Sequence, residues 1–426
     1  MKKKISLILI VSLFLNSLIF SNIYAENSSY TKAINTVTNK INKLMINKDF
    51  NKIFIYISLL NQTKNNSKDN NRRQFIDNVI QELKKQYHRN NTNLILRIDK
   101  NYSNKNIDDI IEKNSDKIKL SDNIFIFKNN ATGRFSASQM FYTSNKLKLL
   151  NKKIRIFIDQ EGGLVNRFND FDDKNTFENY INSNLSLRFK YAILEDNTKN
   201  LITNSFKNRT TFISMNSVGE IFYSINKNNT TERNRFLDFI TFFRLYTLYK
   251  NGINTHGIVT DLDKSNPVIS GLKRSFSDNI NDYVNLGKYF VKNARILGMS
   301  LYLKHFPGHG RGNIDTHKGI LEYSDNKNDK KYIVNNMRVF ETIMYNAHKS
   351  GVEIGIMSAH VLLPDSIKNK YLQILNKADY IMTDDLGMGA YLKLKDKVFE
   401  NKFFSTNEFI DNKNTIRVYT KENEIK

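Results

Sequence analysis

The chain has 426 residues, enough to bury one large core or two smaller ones. Its formal net charge is +23, but the lysines are spread among abundant asparagines, and no arginine cluster interleaved with aromatic residues stands out. A nucleic-acid surface is therefore not expected. Because cysteine is absent, a disulfide framework and a lipid-modified cysteine are both excluded.

The first 25 residues have the pattern of a secretory signal peptide. Three lysines follow Met1, residues 5–20 are almost wholly apolar, and residues 21–25 offer a cleavage site. An uncleaved N-terminal anchor is the alternative, because the apolar run approaches the shortest length that spans a bilayer. We therefore expect an exported protein, periplasmic or extracellular. Its membrane contact would be through this segment alone, if the segment is not cleaved.

Residues 26–91 are polar and rich in Asn and Lys. Apolar residues recur there at three- and four-residue steps in two places, which predicts helices. We interpret this region as a helical extension with solvated charged faces and not as a catalytic module.

From residue 92 onward, short apolar runs alternate with longer helical patterns. This alternation is typical of parallel βαβ units, and seven or eight such units predict an α/β fold of the (β/α)8 barrel type, with a doubly wound sheet as the alternative. The polar stretch 170–210 interrupts this alternation of strands and helices and predicts an insertion, either over the site or on the surface. Residues 414–419 are the candidate closing strand. The other predicted strands are 93–98, 123–127, 154–158, 257–259, 298–303, 352–357 and 380–382, and the main predicted helices are 235–250, 280–297 and 332–350.

Chemically active residues directly follow five of these strands. In a (β/α)8 barrel the active site forms where the strands end, so such residues should converge there. The five groups begin at Asp159, Thr260, Lys304, Ser358 and Thr383. Their accumulation predicts a functional site at the carboxyl end of the barrel.

Residues 304–317 read KHFPGHGRGNIDTH and hold three of the seven histidines. His305 and His309 have the i, i+4 spacing of zinc ligands on a helix, but Pro307 and the glycines beside it prevent a regular helix. The other interpretation is acid–base and nucleophilic chemistry on a polyhydroxylated substrate. It would use the carboxylates at strand ends, with His317 as a proton donor oriented by Asp315. We favour this second interpretation, without a metal.

Together these motifs closely resemble the β-N-acetylglucosaminidase (β-hexosaminidase) branch of glycoside hydrolase family 3. The resemblance spans about residues 92–392. It rests on KHFPGHG from Lys304 with the following Asp315-Thr-His317, on DQEGGLVNRF from Asp159, on IMSAH from Ile356 and on MTDDLGMGA from Met382, in the family's order.

The resemblance implies a role for each matching residue. Asp384 corresponds to the nucleophile, and His317 to the acid/base, with Asp315 as its dyad partner. The family's substrate contacts fall on Asp159, Arg167, Lys304, His305 and Arg274, of which Arg274 is the least closely matched in spacing. No organic cofactor and no metal are implied.

The implied domain is a family 3 (β/α)8 barrel over residues 92–426. Its implied reaction is retaining removal of terminal β-linked N-acetylglucosamine from peptidoglycan- or chitin-derived oligosaccharides, through a covalent glycosyl-Asp intermediate. A family 3 β-glucosidase and a phosphorylase with the same dyad are the alternative enzymes. A non-catalytic descendant that binds glycans or surfaces is the alternative outside enzymes, although every expected chemical position is filled.

Overall fold

The computed structural model describes residues 93–129, 131–170, 177–207, 209, 211–262, 265–312, 314–397, 399–410, 415–418 and 424–425, together with Gln74. The signal peptide predicted at 1–25 lies outside the described residues, and so does the extension predicted at 26–91, apart from Gln74. Contacts within the chain set His88–Lys426 apart as one compact unit.

Parallel strands form a nearly closed barrel, which confirms the predicted (β/α)8 architecture. The strands in chain order are β1 (Asn93–Ile98), β2 (Asn123–Lys128), β3 (Arg155–Ile158), β4 (Thr255–Val259), β5 (Ser300–Phe306), β6 (Leu321–Glu322), β7 (Ile354–Ser358), β8 (Val361–Pro364), β9 (Tyr380–Thr383), β10 (Lys402–Phe404), β11 (Thr415–Ile416) and β12 (Glu424–Ile425). The central sheet has the order β11-β9-β7-β5-β4-β3-β2-β1-β12, and all its neighbours pair in parallel. The strand predicted at 414–419 is present as β11, which pairs with β9, while β12 adds a further short strand beside β1.

Helices fill the connections between the barrel strands. They are α1 (Asn104–Lys113), α2 (Ser115–Leu120), α3 (Ala137–Leu150), α4 (Phe177–Ser183), α5 (Leu185–Ala192), α6 (Asp196–Phe206), α7 (Met215–Ser224), α8 (Thr230–Lys250), α9 (Ile280–Leu297), α10 (Lys327–Lys349), α11 (Lys368–Leu375) and α12 (Gly389–Leu394), with 3-10 turns at Asp365–Ile367 and Ser405–Glu408. Within the described ranges, no helix combines the length and the apolarity that crossing a membrane would require.

The junction between α9 and β5 shows how local sequence sets the element boundaries. Asn279 caps the start of α9, since its side chain accepts hydrogen bonds from the amides of Asn281 and Asp282. Gly298 ends the helix in the left-handed region, at φ 64°, where a residue without Cβ is favoured. The predicted strand 298–303 therefore begins two residues later, at Ser300, and runs on to Phe306.

The barrel interior is filled by large side chains that face glycines on the next strand. A Cβ atom on Gly257 would lie 2.3 Å from Cζ of Tyr302, and one on Gly355 would lie 2.2 Å from Cε2 of Tyr380. Neither ring could occupy its place if the neighbouring strand carried a side chain there. These rings belong to an interior cluster made of Ile95, Phe125, Phe157, Tyr302, Met357, Tyr380, Met382, Ile416 and Val418.

The region predicted as an insertion forms helices α4 to α6. With α7 and α8 they place five described helices between β3 and β4, where a minimal βαβ unit has one. Phe177 of α4 stacks on Phe206 of α6, with ring centroids 4.4 Å apart, and meets Phe243 of α8 edge-on at 5.4 Å. The added helices therefore share an aromatic core with α8.

Three short strands form a second sheet, which the sequence analysis did not predict. Its order is β10-β8-β6, with β8 antiparallel to β10 and parallel to β6. It involves the segments that follow β5, β7 and α12, and so lies beside the loops of the predicted site.

Candidate active site

A cavity of about 130 Å³ lies at the carboxyl ends of the barrel strands. Five residues with acidic, basic or imidazole side chains line it, contributed by the segments after β3, β5 and β9: Asp159, Arg167, His317, Asp384 and Asp385. Apolar side chains of the barrel interior, among them Phe157, Tyr302 and Met357, complete the lining. Three of the five segments that follow strands thus contribute side chains to one concave site.

Lys304 joins two carboxylates at the end of β5. Its Nζ atom lies 2.6 Å from Oδ1 of Asp159 and 2.6 Å from Oε1 of Glu161. Asp159 also pairs with Arg167, whose NH2 group is 3.1 Å from Oδ2. The Lys304 side chain is only 2% exposed, so its charge depends on these two partners.

Glu161 holds Arg274 in a bidentate pair. The Nε atom of Arg274 donates to Oε2 at 2.7 Å and NH2 donates to Oε1 at 2.8 Å. Both side chains are almost fully buried. Such paired contacts fix the plane of a guanidinium group as well as its distance.

Neighbouring opposite charges keep Asp159, Glu161 and Lys304 ionised. Burial alone would raise the pKa of Glu161, but Arg274 and Lys304 outweigh it and hold the pKa at about 2. Burial would likewise raise the pKa of Asp159, and Lys304 and Arg167 hold it far below its ordinary range. Burial would lower the pKa of Lys304, whereas its two carboxylate partners raise it above its usual value. All three groups are therefore charged at neutral pH.

His305 lies between a cation and a carboxylate. NH2 of Arg274 is 3.1 Å from Nε2 of His305. Nδ1 of His305 is 2.8 Å from Oδ2 of Asp261. The other oxygen of Asp261 accepts the amide of His309 at 2.7 Å.

Asp384 follows β9 directly and has the features of a nucleophile. Its amide donates to the carbonyl of Ser358 at 3.1 Å, and its Oδ1 accepts the amide of Asp385 at 2.8 Å. Burial would raise the pKa of Asp384, but the rings of His305 and His360 and the Asp385 amide favour the ionised form, and the pKa is lowered. A half-buried, ionised carboxylate beside a cavity can attack an electrophilic carbon.

The neighbouring Asp385 is engaged differently. Its Oδ1 accepts the amide of Gly387 at 3.0 Å, and its carbonyl accepts Nε2–H of His360 at 3.1 Å. Nδ1 of His360 then accepts from the Thr406 hydroxyl at 2.8 Å. Asp385 thus supports the turn after β9.

His317 and Asp315 form the dyad that their spacing predicted. Nδ1 of His317 lies 2.8 Å from Oδ1 of Asp315, and the same oxygen accepts the His317 amide at 2.9 Å. The His317 side chain is 62% exposed. Burial acts to raise the pKa of Asp315, but its contacts with His317 lower it, so the carboxylate is charged and can orient the ring and stabilise its protonated form.

The predicted site residues occupy two layers. Asp159, Arg167, His317 and Asp384 line the cavity, and Asp315 contacts His317. Lys304, His305 and Arg274 are linked to them through side-chain contacts but are absent from the cavity lining. Their assignment as direct substrate contacts stays a prediction. Across the described ranges, no three His, Asp or Glu side chains are grouped so that they could hold a metal.

Sequence reasoning missed Glu161 and His309 as members of the site. Glu161 lies two residues after Asp159 in the same block, so its position in the motif was the available signal. Its function depends on Arg274, 113 residues away along the chain, and no local pattern indicates that pairing.

Comparison with known proteins gives a family match, related sequences and similar structures. Residues 252–390 match the glycosyl hydrolase family 3 N-terminal domain. A β-hexosaminidase of Histophilus somni is 32% identical over 126 residues, which are 27% of this chain and 34% of that protein. The β-hexosaminidase A of Pseudoalteromonas piscicida is 36% identical over 116 residues, 26% of this chain and 18% of that protein. The chain thus spans about a third or less of these two relatives. Native NagZ of Neisseria gonorrhoeae superposes with a TM-score of 0.49 at 19% identity, covering 76% of this chain and 80% of NagZ.

Proposed function

We propose that this chain, whose residues 252–390 match the glycosyl hydrolase family 3 N-terminal domain, is a β-N-acetylhexosaminidase of that family. It removes terminal β-linked N-acetylglucosamine from peptidoglycan- or chitin-derived oligosaccharides. One observation carries the proposal: the carboxylate of Asp384 and the imidazole of His317 line the same cavity as Asp159 and Arg167. A nucleophile, a proton donor and polar groups for sugar hydroxyls are thereby brought together.

In the first step, Asp384 attacks the anomeric carbon of the bound sugar. A bond forms between its carboxylate oxygen and C1 while the bond from C1 to the leaving oxygen breaks. The lowered pKa of Asp384, which comes about because the neighbouring imidazoles and the Asp385 amide outweigh burial, supports this role. The carboxylate needs no prior deprotonation at neutral pH.

His317 transfers the proton in both steps. Because Nδ1 is engaged with Asp315, Nε2 is the atom that protonates the leaving oxygen. In the second step Nε2 takes a proton from water, the water oxygen bonds to C1, and the bond from C1 to Asp384 breaks. Both displacements invert C1, so the product retains the β configuration.

The substrate binds beside Asp159 and Arg167, two oppositely charged residues that line the cavity. Their 3.1 Å ion pair leaves them able to hydrogen-bond sugar hydroxyls from a fixed position. The N-terminal pattern of three lysines and an apolar run supports action outside the cytoplasm, where such oligosaccharides arise from cell-wall or chitin breakdown.

The test compares release of 4-nitrophenol from the N-acetyl-β-glucosaminide and the β-glucoside, with and without phosphate. We expect turnover of the N-acetyl substrate, with the β-anomer as first product by NMR. Asp384→Asn should lower kcat by about 10⁴-fold or more. The matched variant Asp385→Asn should lower it less than about tenfold, because general positioning effects are smaller than loss of the nucleophile.

Each contrary result has a defined meaning. No turnover of either substrate by the folded protein would refute the hydrolase. A preference for the β-glucoside would indicate a β-glucosidase, and accumulation of a sugar 1-phosphate would indicate a phosphorylase. If Asp385→Asn were the more damaging variant, the nucleophile would be assigned to the wrong carboxylate.

A further inference from the structure

The acid/base dyad is exposed, yet the residue between its two members is buried. Asp315 and His317 lie at the surface of the loop, whereas Thr316 is only 1% exposed. The carbonyl of Thr316 accepts the amide of Ala390, and the carbonyl of His317 accepts the amide of Gly389, both at 3.1 Å. The dyad is therefore attached to the start of α12 through its backbone.

The Thr316 side chain supplies a second attachment. Its hydroxyl lies 2.8 Å from Nε2 of His309, an imidazole that is 3% exposed. Burial and the nearby His305 lower the pKa of His309 to about 4, so the ring is neutral at the pH of interest. Its Nδ1 has no hydrogen-bonding partner among the described residues. The contact with Thr316 is thus the one side-chain hydrogen bond that the structure gives this ring within those residues.

His309 is in turn fixed by the carboxylate that fixes His305. Oδ1 of Asp261 accepts the His309 amide at 2.7 Å, and Oδ2 accepts Nδ1–H of His305. Asp261 is fully buried at the end of β4. A continuous chain of contacts therefore runs from β4 through His309 to the residue between Asp315 and His317.

We infer that Thr316 and His309 are positioning residues that set the orientation of the acid/base dyad. The inference rests on the proposed function, because it gives these residues a task in the proton transfers assigned to His317. The hydroxyl of Thr316 ties the dyad to the rigid barrel end on one side, and α12 ties it on the other. Without the hydroxyl, the imidazole is still present but no longer held at the leaving oxygen, where small displacements lower rates steeply.

The experiment measures how the rate depends on the leaving group. Thr316→Val removes the hydroxyl at nearly constant size, Thr316→Ser keeps it, and His309→Leu removes the other partner. A 2,4-dinitrophenolate departs without protonation, whereas a sugar alkoxide does not. We expect Thr316→Val and His309→Leu to lower kcat/KM by about 10- to 100-fold on the disaccharide of N-acetylglucosamine and by less than about threefold on the dinitrophenyl glycoside. Thr316→Ser should restore the rate to within about threefold of the wild-type value.

Azide tests the second step independently. It bonds to C1 as the bond to Asp384 breaks, giving a glycosyl azide, and needs no base to remove a proton. Azide should therefore accelerate the turnover of the dinitrophenyl glycoside by Thr316→Val but not by the wild type. Thermal unfolding checks that each variant is folded. If Thr316→Val does not fold, His309→Leu takes its place in both measurements.

The outcomes separate the two proposals. A wild type that cleaves none of these substrates refutes the proposed function. If the wild type is active, the positioning role alone is refuted by a variant that loses kcat/KM equally on both substrates and that azide does not accelerate.

Discussion

Replacing Glu161 by Gln should destabilise the protein strongly, although the two side chains have nearly the same shape. Glu161 makes three contacts with buried cations: Oε1 with Lys304 at 2.6 Å and with Arg274 at 2.8 Å, and Oε2 with Arg274 at 2.7 Å. A glutamine amide turns one of its two ends into a donor, which then faces another donor. At best two contacts survive, and neither is between charges of opposite sign.

The magnitude follows from burial. Removing one partner of a buried ion pair costs about 3–5 kcal/mol, because the remaining charge stays out of water. That is a large share of a typical unfolding free energy of about 5–15 kcal/mol. For a unit of this size it corresponds to a fall in Tm of roughly 4–7 °C. Arg274 and Lys304 should also lose their fixed positions, so KM should rise.

Urea unfolding followed by far-UV circular dichroism measures the change, since the chain has no tryptophan. The control is Glu353→Gln, which removes the same charge from a pair with Arg155 in which the side chains are 36% and 31% exposed. That variant should cost only about 0–1 kcal/mol, because water replaces the lost contacts. Equal free energies of unfolding for the two variants would contradict the prediction that losing the buried contacts of Glu161 costs more than losing the exposed contact of Glu353.

Two further predictions concern pH and loop packing. Burial, reinforced by Arg244 and Lys304, lowers the pKa of His256 to about 3. Between this value and the ordinary pKa of histidine, His256 is therefore protonated in the unfolded chain but not in the folded one. Stability should therefore fall on acidification from about pH 6.5, by about 3 kcal/mol at pH 4 from this residue alone. His256→Phe should remove that part of the pH dependence when urea unfolding is measured at about pH 6.5 and about pH 4. An unchanged pH dependence would contradict the assignment. In the loop after β5, a Cβ on Gly310 would lie 2.0 Å from the Leu262 carbonyl oxygen. Gly310→Ala should displace the loop and lower kcat at least about tenfold. Gly351→Ala strains the backbone at φ 68° but causes no clash, and it lies after the end of α10, so it should leave kcat unchanged. A loss shared by both variants would point to general destabilisation.

The architecture could be predicted because local patterns carry it. All eight predicted strands after residue 92 fall on strands of the central sheet, and α9 spans the predicted 280–297. Residues that directly follow strands, such as Asp159 and Asp384, could be placed at one end of the barrel by topology alone.

The rest of the site depends on contacts between distant segments. The bond between Thr316 and His309 joins residues only seven apart, but both are buried through partners on β4 and α12. Lys304 and Arg274 have the residue types of surface cations, and their burial follows from Glu161, far away in sequence. Strand β6 has only two residues, too few for an alternating pattern to be visible.

The position of β12 has a consequence for the order of folding. Ile95 of β1 pairs with Glu424, so the first strand of the barrel gains its outer neighbour from a residue 329 positions later. At a synthesis rate of about 5–20 residues per second, that neighbour emerges roughly 15–65 s after β1. Pairings of such long sequence separation slow folding, because the loop must close before the contact is made. During that interval β1 lacks the backbone partner that β12 supplies, and an unpaired strand edge is a place where another chain can pair.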